Sequence, residues 1–369
     1  MKETSLTVEN DNLQSKVISF LRFPMIVAVV LIHTQIEVVN GMVGDMSVSY
    51  PFGGAYPIYE SILYLFVKIL TRVAVPLFFM FSGFLFFYNV EEFSISAYFN
   101  KLRKRIHTLL IPYIFWNILL FIVYYLSCLL FPDVFKSSIV EGTAINNCLM
   151  ALWNYNKTGC PINFPFWFIR DLMVVVLLTP IIYWLIKKIK YLISLFLGIL
   201  WLAGLWFDVV GLRIDAFFFF SIGAYFAICK HNFVTAIKDH SVPLGTLYFI
   251  CILIAFITNS YDWNIYIRRA SILLGMAFVL AISAKYLAEG KLHINTFLSE
   301  SSFFIFAYHA IALPIVKRIL TYIAPCTTDI HAVILYFLLA LIIVLGGLLL
   351  YYLLRRYLPK TTAFITGGR

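Results

Sequence analysis

The sequence predicts an all-α polytopic membrane protein with about ten transmembrane helices and both termini in the cytoplasm. Three observations support this prediction: a composition that is 62% hydrophobic and only 12% charged, apolar runs long enough to cross a bilayer, and basic residues concentrated in alternate loops. Soluble domains average about 45–50% apolar and about 25% charged residues. This chain has too few polar residues to cover a water-soluble globule.

The apolar runs define the predicted spans. A spanning helix needs roughly 17–25 mostly apolar residues, and ten segments qualify: 17–39, 61–88, 106–131, 165–186, 191–208, 213–229, 243–259, 270–287, 301–322 and 332–354. The second run exceeds what a bilayer requires, which predicts a tilted helix or one that begins on the outer surface. We predict a single membrane domain over 1–369, with a cytoplasmic segment 1–16, an extracytoplasmic loop 132–164 and a cytoplasmic tail 355–369.

Basic residues predict the orientation. They are dense after spans two, four, six, eight and ten and sparser in the alternate loops, and cytoplasmic loops are the ones enriched in Lys and Arg. The dense group includes Lys101, Arg103, Lys104, Arg105, Lys187, Lys188, Lys190, Arg355 and Arg356. The net charge of +10 is therefore explained by topology beside membrane lipids, and no nucleic-acid partner is predicted. The chain is expected in the cytoplasmic (inner) membrane.

The six cysteines include no CxxC pair, so neither a metal site nor a redox motif is predicted. Cys148 and Cys160 share the predicted loop 132–164. A disulfide between them and two separate thiols are both compatible with this spacing.

Ionisable side chains inside predicted spans are costly and usually face a cavity or a partner. With a helical rise of about 1.5 Å per residue, Arg22 lies roughly 7 Å from the cytoplasmic face, whereas His33 and Arg72 both lie roughly 24 Å from it. Ser82 and Gly83 share the level of Arg22 by the same reasoning. Polar groups at graded depths predict a passage through the membrane, provided that their helix faces converge.

Simpler interpretations exist for some of these residues. Arg22 could extend to the cytoplasmic interface, and His309 could be a hydrogen-bonded core histidine. Arg170 and Asp171 are adjacent and point to different helix faces, so they need not pair with each other. His33 is harder to explain structurally, because it lies deep and Gln35 and Glu37 follow it.

Four motifs resemble the acyltransferase-3 family of integral membrane acyltransferases, which modify cell-surface sugars. They are LRFPMIVAVVLIH with Arg22 and His33, RVAVPLFFMFSGFLFF with Arg72, Ser82 and Gly83, FWFIRDLMVVVLLTPII with Arg170, and SESSFFIFAYHAIALPI with His309. Aromatic-rich spans are common in membrane proteins, so each motif alone is weak. All four in this order, covering most of the chain, are specific. The chain resembles members without a fused extracytoplasmic domain.

The resemblance implies an O-acyltransferase that moves an acyl group, usually acetyl, from cytoplasmic acyl-CoA (acetyl-CoA) to a hydroxyl of a cell-surface glycan or lipid-linked oligosaccharide. His33 is then the predicted general base, because a neutral imidazole accepts a proton near pH 7. Arg72 would stabilise the oxyanion. In a second route, His33 takes the acyl group covalently before passing it on.

The remaining predicted roles concern binding. Arg22 would hold a CoA phosphate, Ser82 would donate a hydrogen bond, and Gly83 would allow a close approach. Arg170 would face the acceptor, and His309 would be a second polar group in the passage. Two alternatives stay open: a transporter of glycan intermediates without acyl-transfer chemistry, and a relative that transfers succinyl or another acyl group.

Overall fold

The computed structural model describes residues 2–36, 56–130 and 144–368. Fifteen α-helices occur in these ranges. In chain order they are α1 Lys2–His33, α2 Pro57–Leu63, α3 Ala74–Phe87, α4 Ile95–Arg105, α5 Ile111–Leu130, α6 Ala144–Trp153, α7 Trp167–Leu177, α8 Thr179–Ile189, α9 Leu192–Ala203, α10 Ile214–Ile228, α11 Ser241–Ile257, α12 Asn264–Ala288, α13 Thr296–Ile323, α14 Asp329–Tyr357 and α15 Pro359–Thr366. The described residues form no β-strand, and the all-α, multi-pass prediction is confirmed.

The predicted spans are all helical, but they are not all long enough to cross a bilayer. Seven helical stretches have the length and hydropathy of a span, and an eighth is the pair α7 and α8, bent by 63°. The bend follows from Pro180 at the start of α8, since proline lacks the amide donor that would continue the preceding helix. Helices α9 and α10 have only 12 and 15 residues. Within the described ranges, seven or eight helical stretches are thus long enough to cross a bilayer, where ten full spans were predicted, and two apolar helices are shorter.

Helix α1 lies at the centre of the described bundle, in contact with α3, α12, α13 and α14. Two tyrosine hydroxyls fix its end. Tyr336 donates a hydrogen bond to the carbonyl of Leu31 at 2.8 Å, and Tyr59 donates to the carbonyl of Ile36 at 2.9 Å. His33, the last residue of α1, is consequently held between two neighbouring segments. Glu37, which contributed to the prediction of a polar end here, lies outside the described residues.

The second predicted span is one helical path that changes type along its length. A π-helical turn, Tyr64–Ile69, and a 3-10 turn, Leu70–Val73, separate α2 from α3. Side chains of the tighter turn bind carbonyls five residues back: Thr71 Oγ1 donates to Phe66 at 2.6 Å and Arg72 Nε donates to Val67 at 2.7 Å. This irregular stretch carries Arg72 beside α1 and α12.

Helices α3 and α10 pack backbone against backbone. A methyl group on Gly83 would overlap the carbonyl oxygen of Phe220, and a methyl group on Gly223 would overlap the carbonyl oxygen of Met80. Each glycine therefore receives the backbone of the opposite helix. Small residues at helix contacts allow this close approach in membrane proteins.

The two chain ends are more ordered than simple predicted tails. Helix α1 already begins at Lys2, so most of the segment predicted as 1–16 is helical. At the other end, α15 folds back on the bundle, and Trp116 Nε1 donates a hydrogen bond to the carbonyl of Ile365 at 2.9 Å.

All six cysteines are free thiols. Of the predicted loop 132–164, residues 132–143 lie outside the described ranges.

Candidate functional site

A cavity of about 170 Å³ opens between α1, α3, α7 and α13, and we call it the arginine cavity. Arg22 projects into it from α1, Ser82 from α3, and Arg105 from the end of α4. Ser299, Glu300 and Ser302 add polar groups from α13. The rest of the wall is apolar: Ile18, Ile26, Val29, Val75, Phe78, Phe81, Leu85, Leu109, Phe168, Ile169, Leu172, Phe303 and Phe306. The structure thus brings Arg22 and Ser82 together, as their predicted depths require.

The arginine cavity carries an excess of positive charge. Arg22 and Arg105 are half-buried, and neither forms a salt bridge or hydrogen bond within the described part of the chain. Among the lining residues the carboxylate is Glu300, which is already paired with Arg355. Arg105 also lies over the ring of Phe86, with its Cζ 5.8 Å from the ring centroid. Two guanidiniums without a carboxylate partner among the described residues, on a partly apolar wall, form a site for an anion.

A pair of imidazoles lies farther along α1. The rings of His33 and His309 stack with centroids 5.6 Å apart and an interplanar angle of 21°. The ring of Phe164 packs edge-on against His33 at 4.7 Å. We call His33 and His309 the histidine pair. The predicted passage required the faces of different helices to converge, which depth alone could not test. For His33 and His309, the structure shows this convergence.

Hydrogen bonding fixes the tautomer of His309. Its Nδ1 lies 2.7 Å from the carbonyl oxygen of Phe306 and 3.3 Å from that of Ile305. Since a carbonyl can only accept, Nδ1 carries the hydrogen and, in the neutral ring, Nε2 carries the lone pair. This buried Nε2 has no protein partner, and neither has the buried Nδ1 of His33. The histidine pair therefore offers two ring nitrogens whose hydrogen-bonding capacity is unused.

Arg72 lies close to the histidine pair, within electrostatic range of His33. Its Nε donates to the carbonyl of Val67, and the guanidinium forms no salt bridge within the described ranges. The terminal nitrogens of Arg72 consequently remain free for a ligand. A cation beside an imidazole can stabilise negative charge that develops at that place.

Aromatic rings separate the arginine cavity from the histidine pair. Phe168 and Phe306 line the cavity, and the ring of Phe306 lies 6.1 Å from that of His309. A third ring, Phe166, stacks on Phe306 at 5.4 Å with an interplanar angle of 3°. We call these three residues the aromatic layer. The arginine cavity stops at this layer, so its wall does not include His33 or Arg72, and the predicted single passage is interrupted here.

Arg170 has a different environment from the one predicted. It does pair with its neighbour, because its flexible side chain turns back to place Nε and Nη2 at 2.9 and 2.8 Å from Asp171 Oδ1. Its Nη1 donates to the carbonyls of Trp153 at 2.7 Å and Gly159 at 3.0 Å. The sequence left the pairing of these two residues open, and the structure shows that they form an ion pair. These bonds connect buried Arg170 to the segment before α7.

One predicted binding residue does not line the cavity, and two residues without a predicted binding role contribute to it. Gly83 lies away from the arginine cavity, because it receives the backbone of α10. Two residues that the sequence interpretation assigned to topology contribute to the cavity instead: Arg105 lines it, and Arg355 pairs with Glu300 on its wall. Their signal was present, since Arg105 directly precedes one predicted span and Arg355 directly follows another, but a basic residue at a helix end is equally typical of a topological anchor.

The fold and its charged interior define a multi-pass membrane protein. The model of the acyltransferase-3 family, Acyl_transf_3, described as an acyltransferase domain, matches residues 16–356. The chain therefore belongs to this family. Among curated proteins, it is 26% identical over 145 residues to the succinoglycan biosynthesis protein ExoH of Rhizobium meliloti (strain 1021), which covers 37% of this chain and 36% of that protein. The match thus spans little more than a third of that relative's length. No solved structure matches the chain.

Proposed function

We propose that this protein is a membrane O-acyltransferase. It would move an acyl group, most simply acetyl, from cytoplasmic acyl-CoA to a hydroxyl of a cell-surface glycan or lipid-linked oligosaccharide, in the cytoplasmic membrane. The observation that carries the proposal is the histidine pair beside Arg72, with a cationic cavity on the same central helix. Membership of the acyltransferase-3 family supports the reaction class.

The arginine cavity would hold the anionic part of the donor. Arg22 and Arg105 present guanidiniums to the same cavity as the Ser82 hydroxyl, and guanidiniums bind phosphate oxygens in pairs of parallel hydrogen bonds. The apolar wall would cover the uncharged pantetheine arm. The cavity ends at Phe168 and Phe306, so the thioester would have to pass or displace these rings to reach the histidine pair.

The histidine pair would perform the proton transfer. His33 removes the proton from the acceptor hydroxyl while that oxygen attacks the thioester carbonyl carbon. Arg72 stabilises the negative charge on the carbonyl oxygen. When the carbon–sulfur bond breaks, the thiolate takes the proton from His33, so that CoA leaves as a thiol and the ester remains on the sugar. His309, with its tautomer fixed by backbone carbonyls, orients the ring of His33 by stacking.

The covalent route uses the same residues in a different order. A ring nitrogen of His33 first attacks the thioester to form an acyl-imidazole, and CoA leaves before the sugar hydroxyl takes the acyl group. Trapping after rapid acid quench distinguishes the two routes, since only the covalent route gives a protein whose mass increases by one acyl group in the absence of acceptor.

The transferred group and the acceptor are both part of the proposal. The similarity to a succinoglycan biosynthesis protein favours an exopolysaccharide among possible acceptors, and it keeps succinyl as an alternative acyl group. A transporter of glycan intermediates is the alternative of another class. A transporter would need a membrane domain of this kind, but it would not need a general base such as His33 beside a cation such as Arg72.

Thiol release tests the proposal. Purified protein in lipid nanodiscs is mixed with acetyl-CoA or succinyl-CoA and a surface polysaccharide extract, and free CoA and acylated sugar are measured together. We expect both to appear in equal amounts and only when protein, donor and acceptor are present. A transporter would release no CoA under these conditions, and that result would contradict the proposed function.

A further inference from the structure

The irregular stretch before α3 and the start of α12 lie side by side in a fixed parallel register. At one end, the hydroxyl of Tyr64 donates to Asn264 Oδ1 at 2.7 Å. At the other end, a methyl group on Gly275 would lie 2.7 Å from Cγ1 of Val73, so these residues are in contact. Side chains that lie between these two contacts and point toward the interface are therefore close to one another.

Four cationic residues lie between the two contacts, namely Lys68, Arg72, Arg268 and Arg269, and the first three of them are close enough to interact. Lys68 and Arg268 each follow the Tyr64–Asn264 contact by four residues, and Arg72 follows Lys68 by four more. Both Lys68 and Arg72 are within electrostatic range of Arg268 and of each other. All three are half-buried. We call Lys68, Arg72 and Arg268 the cation cluster.

The cation cluster has no ion-pair partner among the residues that the structure describes. The buried Nε of Arg268 has no hydrogen-bond partner among them either. Asp215 is within electrostatic range of Arg72. It already accepts a hydrogen bond from Trp201 Nε1 at 2.8 Å and lies 3.6 Å from Arg213. Half-buried like charges repel each other unless an anion is bound between them.

We propose that the cation cluster binds a carboxylate carried by one of the two reactants. This inference rests on the proposed function, and it names a property of the substrate. The carboxylate would belong either to a dicarboxylic acyl group, such as succinyl, or to an acidic sugar of the acceptor. Two guanidiniums and an ammonium match its planar oxygens. Arg72 is within electrostatic range of His33, so the bound carboxylate would lie on the same side of the histidine pair as Arg72.

Binding is measured first, because it does not depend on turnover. The thermal unfolding midpoint of the detergent-purified protein is compared with sodium succinate, sodium glucuronate and glucose at equal ionic strength set by chloride. We expect at least one carboxylate to raise the midpoint by about 2 °C at tenfold excess over its Kd, and glucose to have no effect. Arg268→Gln and Lys68→Gln should each abolish this shift relative to their own ligand-free midpoints.

The matched control is Arg269→Gln. Arg269 is the next residue on α12, but its Nη1 donates to the carbonyl of Leu202 at 2.7 Å, so it is engaged elsewhere. The control should keep the carboxylate shift. No shift for wild-type protein with either carboxylate, or an equal shift in Arg268→Gln and Lys68→Gln, would overturn the inference even if the acyltransferase is active.

Turnover then distinguishes the two sources of the carboxylate. Acetyl-CoA and succinyl-CoA are each tested with a neutral glucan oligosaccharide and with one that contains glucuronate. A preference of at least tenfold for succinyl-CoA with both acceptors assigns the carboxylate to the acyl group, and a similar preference for the acidic acceptor with both donors assigns it to the sugar. Arg268→Gln should remove the preference and keep the slower reaction. Equal rates for all four combinations in wild type would contradict the inference.

Discussion

The arginine cavity and the histidine pair lie on the same helix, but their surroundings differ. Arg22 faces an open cavity of about 170 Å³ and has no hydrogen-bond or salt-bridge partner in the part of the chain that the structure describes. His33, about 16 Å farther along α1 by helical rise, stacks on His309 and contacts Phe164. The open region is suited to hold a charged ligand, whereas the packed region is suited to orient a base. Under the proposed function, donor binding and proton transfer would therefore occur at separate levels of one helix.

This comparison predicts different kinetic signatures for the two regions. Arg22→Gln removes a guanidinium that would bind the donor equally in the ground and transition states, so KM for acyl-CoA should rise about 10- to 100-fold, as expected for a lost charge-assisted hydrogen bond. The value of kcat should change little. Arg105→Gln should behave alike. Arg103, two residues away and exposed, gives the control Arg103→Gln, and an unchanged KM in Arg22→Gln would remove the donor site.

Gly83 tests whether the region beside the arginine cavity serves packing. Gly83→Ala places a methyl group against the Phe220 carbonyl, and such overpacking costs about 1–3 kcal/mol. We expect a lower unfolding midpoint with no specific change of KM in the protein that remains folded. In Gly346→Ala the new methyl group would meet only the Tyr308 hydroxyl at 3.3 Å, so this control should be tolerated. A normal midpoint with a raised KM in Gly83→Ala would instead restore the predicted ligand contact.

The Glu300–Arg355 pair tests how charge on the wall of the arginine cavity affects donor binding. Arg355 neutralises a carboxylate on the wall that would otherwise repel an anionic donor. Both side chains are half-exposed, so the effect is small, and Arg355→Ala should raise KM about two- to fivefold. Adding Glu300→Gln should restore the original KM, because no unpaired carboxylate remains. A double variant as impaired as Arg355→Ala would show that Arg355 acts in another way.

Cys160 tests the predicted orientation. Burial raises the pKa of its thiol, so its thiolate fraction is smaller than that of an ordinary thiol at neutral pH. In a variant that keeps only this cysteine, alkylation should accelerate from pH 7.5 to pH 9.5 more than alkylation of glutathione in the same solution. A membrane-impermeant maleimide should label it in intact cells. Labelling only after the cells are opened would place Cys160 on the cytoplasmic side and contradict the predicted orientation.

The fold was largely predictable because composition and apolar runs depend on local sequence. Each of the ten predicted segments is helical, since a run of apolar residues in a membrane must satisfy its backbone internally. The shortness of α9 and α10 and the bend between α7 and α8 were not predicted. Hydropathy alone does not show where a helix stops crossing the bilayer and begins to pack along its neighbours.

The site was predictable as a set of residues and less so as an arrangement. The membrane depths estimated from helical rise placed His33 at the level of Arg72 and Arg22 at the level of Ser82. Depth alone could not show that the ring of His33 stacks on that of His309. Helix faces converge through tertiary contacts that lie far apart in the chain. The Arg170–Asp171 pair was missed because helical periodicity describes where side chains begin, whereas a long guanidinium can turn back to its neighbour. Arg105 was missed because its position fits an anchor equally well.

The most direct test of the central claim is the turnover of His33→Ala. If His33 is the base, this variant should remain inserted and folded, bind acyl-CoA with nearly normal affinity, and lose about 10²–10⁴-fold in acceptor-dependent CoA release. His107→Ala is the matched control, because that imidazole is exposed at the end of the bundle that carries Arg105. Acceptor-dependent CoA release at the wild-type rate in His33→Ala would contradict the account.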